Sequence, residues 1–340
     1  MDVVTKVDDD GIKRAYLASG VFGLSAVNVN STSALKVEGG SDFTFAGEHI
    51  AASGSVSVVT GKDAAGNAHL WVLDISDPVY PKLDGELDTT IPVFYDVALN
   101  NTGSMAVLAA GSQGIKVIDL SNPAAPSVIG SYDTPGSARG VALNSAGTLA
   151  YVADFYGLQL VSLANPRAPS LAGSVQWSTG GWIDVSVSGG IACVADQLGN
   201  ALFVVDVSIP SAPQRVGYQS LNGTGAKIAI DKNNPAMVAV IKYTNYIGYC
   251  LEAFNISNPA QPVSKGYTSV TDIKGTVTGL DFIGGSAYVA AASEGLKVYQ
   301  IASAPVFKYI VDAPGDAYDA AVNSTYTYAT GFPAALSIIR

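Results

Sequence analysis

GIKVIDLSNPAAPSVIGSY (114–132), GLQLVSLANPRAPSLAGSV (157–175) and ALFVVDVSIPSAPQRVGY (201–218) are three versions of one unit. Looser copies stand on either side: HLWVLDISDPVYPKLDGEL (69–87), YCLEAFNISNPAQPVSKGY (249–267) and GLKVYQIASAPVFKYI (295–310). Aligning the polar position that ends the apolar run picks out Asn28, Asp74, Asp119, Ser162, Asp206, Asn255 and Gln300, with Ile339 at the eighth site. The period averages about 44 residues, in the range where self-similarity marks a stacked repeat architecture.

One period, 138–175, shows what each unit is. ARGVALN alternates apolar with small or polar residues, SAG turns, TLAYVAD and LQLVSL are further apolar runs, ANPRAP connects, and SLAGSV closes the unit. Runs of this length bounded by Gly, Pro and Asn read as strands, and no stretch sustains a helical period. Each unit is therefore a four-stranded antiparallel meander with inner, second, third and outer strands. A lone meander leaves apolar surface bare, so neighbours must stack; four strands per period, repeated about eight times, predict an all-β fold, a β-propeller. The chain reads as one propeller domain over 1–340, with units near 1–38, 39–87, 88–132, 133–175, 176–218, 219–267, 268–312 and 313–340. Eight blades are favoured, the last lacking its own outer strand. The alternative is seven, with ALKVE (34–38) as a clasp completing the last blade.

The connector has a structural role. In SNPAAP (121–126) two prolines fix φ and remove N–H donors, so the segment crosses to an edge strand. The polar residue before it, Asp74, Asp119 or Asp206, is expected to hold nearby backbone amides in an Asx-type turn. The core LVSL/VIDL/VVDV, followed by S-x-P-x-x-P and a short Gly-containing strand, resembles the LVIVD repeat. LNSAGTLAYVAD (143–154) is also similar to the related YVTN-type repeat. The resemblance runs from about residue 20, strongest over 114–218, although 24–38 lacks S-x-P-x-x-P. It implies a β-propeller of the kind found mainly in extracellular or surface-associated bacterial and archaeal proteins, without a shared catalytic apparatus.

Composition removes several function classes. The 340 residues carry 18 basic and 28 acidic side chains, a formal charge of −10, with no Lys/Arg cluster. Nucleic acid is not an expected partner, because phosphate neutralisation needs a basic stripe. No apolar run approaches the roughly 18 residues of a membrane helix, and MDVVTKVDDDG has no apolar core for a secretory signal. The chain either stays inside the cell or follows a leader; its Gly, Ser, Thr and Tyr content favours an extracellular or cell-surface location. Cys193 and Cys250 sit in apolar runs and are expected to be buried free thiols.

In a propeller, second-to-third and outer-to-inner loops share one face. Inner-to-second turns and Pro-rich connectors share the other. Here the second face is monotonous (NNTG, NSAG, SGG, DKNNP), whereas the first varies. Variable loops on a rigid scaffold are where binding residues concentrate. The candidate ligand-binding rings are Phe94, Tyr95, Phe155, Tyr156, Trp177, Trp182, Tyr243, Tyr246 and Tyr318. At the inner-strand entrances stand His49, Asp96, Gly140, Asp184, Lys227, Gly279 and Asp319. If Asp96, Asp184 and Asp319 converge on the channel they can hold a hard cation such as Ca2+, the one cofactor considered. Capping of backbone amides is the plainer reading of each. No G-x-S-x-G, H-E-x-x-H, C-x-x-C or P-loop occurs, and the only histidines are His49 and His69. The expectation is a non-enzymatic scaffold recognising a protein or glycan through its aromatic loop face. The alternatives are a polysaccharide hydrolase or lyase using channel carboxylates, and a structural spacer in a surface assembly.

Overall fold

The computed structural model describes residues 3–7, 13–18, 23–28, 36–42, 46–62, 67–77, 80–177, 180–244, 248–268, 273, 276–291, 296–302, 304–311, 327–329 and 337–339. Among them every regular element is a strand. Seven four-stranded antiparallel sheets follow in chain order over 3–42, 46–88, 96–132, 140–176, 182–220, 224–267 and 279–311, called here blades 1 to 7. Each is a meander whose strands pair in sequence order. Inner strands lie side by side from blade to blade, and that of blade 7 (Gly279–Ile283) lies beside that of blade 1 (Val3–Val7). The sheets thus form a ring about a common axis.

The eighth repeat is present, among the described residues, as a two-stranded ladder. Thr327–Ala329 pairs with Ser337–Ile339, and the ladder lies against the second, third and outer strands of blade 1. Among the described residues, the segment offered as a clasp for a seven-bladed ring is seen paired within blade 1. Lys36–Asp42 pairs with Gly23–Asn28, completing that blade.

The core lies between blades. Blades 2 and 3 share one apolar cluster, blades 3 and 4 the next, then 4 and 5, 5 and 6, and 6 and 7. Second strands, covered on both faces, are continuously apolar and buried, as in Met105–Ala109 and Leu149–Ala153. A fully buried Val or Leu contributes about 1.5–3 kcal/mol, so each seam is held by several such contacts. Cys193 and Cys250 lie unpaired in this core. Burial pushes their thiols up, to about 12 and about 11.

A second seam device explains the repeat's Gly and Pro. In blades 2 to 6 a β-bulge in the ladder between third and outer strands is flanked by a glycine: Gly85, Gly130, Gly173, Gly217 and Gly266. Where Gly130 has hydrogen, a Cβ would overlap the Pro166 carbonyl oxygen of the next blade's connector. Gly173 faces Pro210 and Gly217 faces Pro259 in the same way. The connector thus keys into a notch that only glycine leaves open. The polar residue before it behaves as expected: Asp74, Asp119 and Asp206 each accept the N–H two residues on, at 2.8–2.9 Å, as does Asn255.

Candidate functional site

The rings expected on the variable rim divide by depth. Phe94 and Trp182 are core residues, 2% and 0% exposed. Phe94 sits on the approach to blade 3 and fills the seam with blade 2, whereas Trp182 opens the inner strand of blade 5 and fills the seam with blade 4. Both are thereby unavailable to a partner. Tyr246 and Tyr318 lie outside the described residues. Tyr95 is half-buried, with the Arg139 guanidinium 4.1 Å from its ring centroid. Tyr243 is partly exposed and packs 5.0 Å from Tyr249.

Three of the remaining residues meet at the seam of blades 4 and 5. Phe155 adopts a left-handed φ of 73° and its N–H donates to the Trp182 carbonyl at 2.9 Å. This turn presents Tyr156, 55% exposed, whose carbonyl accepts the Trp177 N–H at 2.9 Å. The Trp177 ring lies 5.2 Å from Phe203, and the Arg215 guanidinium stacks on it at 3.7 Å. Tyr218, 52% exposed, continues the cluster 5.4 Å from Phe203. Arg215 and Tyr218 belong to the outer strand of blade 5 (Gln214–Ser220), so a search confined to loops passes them over.

The axial carboxylates hold backbone amides. Asp96 accepts the N–H of Val97 at 2.8 Å and that of Val141, on blade 4, at 2.7 Å. Asp184 accepts from Val185 at 3.0 Å and from Ile228, on blade 6, at 2.8 Å. Each carboxylate therefore ties its own inner strand to the next. Gly140, the residue at this site in blade 4, leaves room for the Asp184 backbone, which a Cβ would meet at 2.8 Å. Burial raises the Asp184 pKa, opposed by Lys227 and the two amides. Burial, with Lys227 adding to it, keeps His49 neutral well below the usual imidazole range. Among the described residues no three His, Cys, Asp or Glu side chains gather to hold a metal ion. Asp96 and Asp184 thus serve as inter-blade ties, while Asp319 lies outside the described residues. Asp96, Asp184 and Lys227 line an axial cavity of about 270 Å³.

A larger cavity, about 520 Å³, opens at the opposite mouth among the inner-to-second turns of blades 3 to 6. No sequence pattern pointed to it, because those turns are the monotonous ones.

Antiparallel four-stranded blades ranged about an axis, with loop-borne rings at one mouth, define this molecule as a β-propeller. Within it, residues 64–89, 102–134, 135–176 and 180–218 match the family model of the LVIVD repeat. No curated protein matches the sequence. Among solved structures, a Lactobacillus plantarum protein is similar at 11% identity and TM-score 0.71, covering 90% of this chain and 97% of that one. Kuenenia stuttgartiensis hydrazine synthase is similar at 11% and 0.65, covering 86% and 95%. A candidate 6-phosphogluconolactonase from Bacteroides uniformis is similar at 15% and 0.68, covering 86% and 96%. At these identities the likeness is one of fold, and fold does not carry function. No helix among the described residues is long and apolar enough to cross a membrane.

Proposed function

We propose that this propeller is a non-catalytic binding scaffold that engages a protein partner at the seam of blades 4 and 5. One observation carries the reading: Trp177, Arg215 and Tyr218 gather about Phe203, with Arg215 stacked on Trp177, and the turn bonded to the Trp177 N–H presents Tyr156, both tyrosines being more than half exposed. Trp, Tyr and Arg are the residues that dominate binding energy at protein interfaces, and stacking pre-orders the long Arg side chain. Export to the cell surface is part of the same proposal, supported by the implied habit of the repeat family. A catalytic reading would need free channel carboxylates, and Asp96 and Asp184 are occupied by backbone amides.

Probing parallel protein and glycan arrays with the intact chain and with Tyr156→Ala/Tyr218→Ala tests this. The expected result is a protein partner whose binding the variant weakens by about 2 kcal/mol or more, while Leu83→Ala on blade 2 has no effect. Binding confined to glycans, or unchanged in the variant, would overturn it.

A further inference from the structure

We propose that the cavity at the opposite mouth is a binding site for a small, uncharged polyhydroxyl ligand of mono- or disaccharide size. Its volume of about 520 Å³ falls in the range of small-molecule pockets, roughly 300–1,000 Å³. The walls come from turns one repeat apart, so the site exists only in the assembled ring. Asn101, Ser145, Ser186, Ser188, Lys232 and Asp281 supply its polar lining, and Tyr151, Leu143 and Val187 a small apolar flank.

The charges at this mouth decide the ligand class by elimination. Asp231 is 1% exposed and accepts four backbone N–H groups: Asn233 at 2.9 Å, Asn234 at 3.3 Å, and Gly284 and Gly285 of blade 7 at 2.7 Å each. Asp281 accepts from Phe282 N–H at 2.8 Å and from Lys232 Nζ at 2.6 Å. Asp231 is therefore saturated by amides and Asp281 is already neutralised by Lys232, so a cation would have to displace that ammonium, whereas the remaining lone pairs of Asp281 can still accept from a neutral donor. An anion meets two carboxylates against one paired ammonium, in a chain of net charge −10. An apolar ligand would strip water from serine and asparagine groups without replacing their hydrogen bonds, at a cost of about 1–3 kcal/mol per group. A neutral polyol satisfies these groups. Its hydroxyls donate to Asp281 and accept from Lys232 at the edge of their ion pair, the serines serve as donor or acceptor, and its C–H face rests on the half-buried Leu143 and Val187. The Asp231 amide cluster fixes the Asp231–Asn234 turn against blade 7, so Lys232 is held at the mouth before any ligand arrives.

The test is ligand-observed NMR and calorimetric titration of the intact chain with glucose, galactose, maltose and myo-inositol, with glucuronate and glucosamine as charged comparators. Saturable binding of at least one neutral probe is expected, stronger than of either charged one. Binding should weaken at least tenfold in Ser188→Trp, which fills the mouth from the half-buried end of the blade 5 inner strand, and in Lys232→Met. Unchanged thermal unfolding shows that both variants fold. Tyr156→Ala/Tyr218→Ala on the other face should bind the probe normally, so this site and the protein-binding reading fail separately. Absence of binding to all four neutral probes at high millimolar concentration would overturn the proposal. So would preference for a charged comparator, or binding unaffected by both mouth variants.

Discussion

At the residue scale, aspartates that look alike in the repeat titrate in opposite directions because the backbone surrounds them differently. Asp119 and Asp206 are partly exposed and accept hydrogen bonds from Ser121 and Ser208, which hold their pKa values below the usual range. Asp154, Asp184 and Asp196 are raised, in each case first by burial. The linkage signs follow. A lowered carboxylate contributes stability that is lost as pH falls through its folded pKa. A raised one keeps its proton longer when folded than when unfolded, so stability falls as pH climbs from the ordinary aspartate value through the raised one. Asp196 is fully buried and its Oδ2 has no hydrogen-bond partner, while Oδ1 accepts from Leu198 and Gly199 at 3.0 Å. Asp196→Asn retains the acceptor and removes the ionisation, so it should flatten the decline in stability over that pH window, read from urea midpoints. Asp184→Ala should cost about 1–3 kcal/mol for each amide it orphans, at Val185 and Ile228, measurable by the same denaturation. The sequence marked Asp184 by its position in the repeat. It could not distinguish a metal ligand from an amide tie, because the amide belongs to a strand 44 residues away.

At the scale of the element, the outer strand is the part whose chemistry the repeat spelled out without explaining. A short Gly-containing strand after a P-x-x-P connector is visible in every strong copy. The need for glycine becomes clear only when the next blade's connector is in place. Gly173→Ala drives a Cβ onto the Pro210 carbonyl, and backbone on both sides leaves little room to yield. The expected loss is about 1–3 kcal/mol, the usual cost of overpacking. Gly189→Ala provides the contrast. Nothing lies within 4 Å of its Cβ, but φ is +58°, so only the backbone penalty of roughly 1–2 kcal/mol applies. Denaturation should therefore show Gly189→Ala as the same two strands with a strained turn, and Gly173→Ala as a loosened seam with faster exchange of amides in 207–213. Blade 7 departs from the rule, since Tyr309 occupies the register that glycine holds in blades 2 to 6.

At the scale of the whole molecule, burial is graded from the middle of each blade outward. Second strands are covered by two neighbours, whereas outer strands such as Lys82–Asp88 and Ser127–Tyr132 present mostly exposed or half-exposed side chains. Amides in buried strands open only in large cooperative units, and exposed edges open locally. Hydrogen exchange should therefore proceed last in 105–109, 149–153 and 191–196 and first in the outer strands. Equal rates across a blade would contradict the layered core described here. The amino-acid sequence alone determined the repeat, the strand identity of each apolar run, the Asx-type turns and the propeller class, because all of these depend on contacts within about one period. Only the tertiary structure decided that Trp182 is core while Trp177 reaches the surface, that Asp96 and Asp184 tie neighbouring inner strands through backbone amides, and that a polar cavity opens among the least varied turns. Those outcomes depend on groups one or more repeats apart, brought together by the angle between blades, and no local pattern of residues encodes that angle.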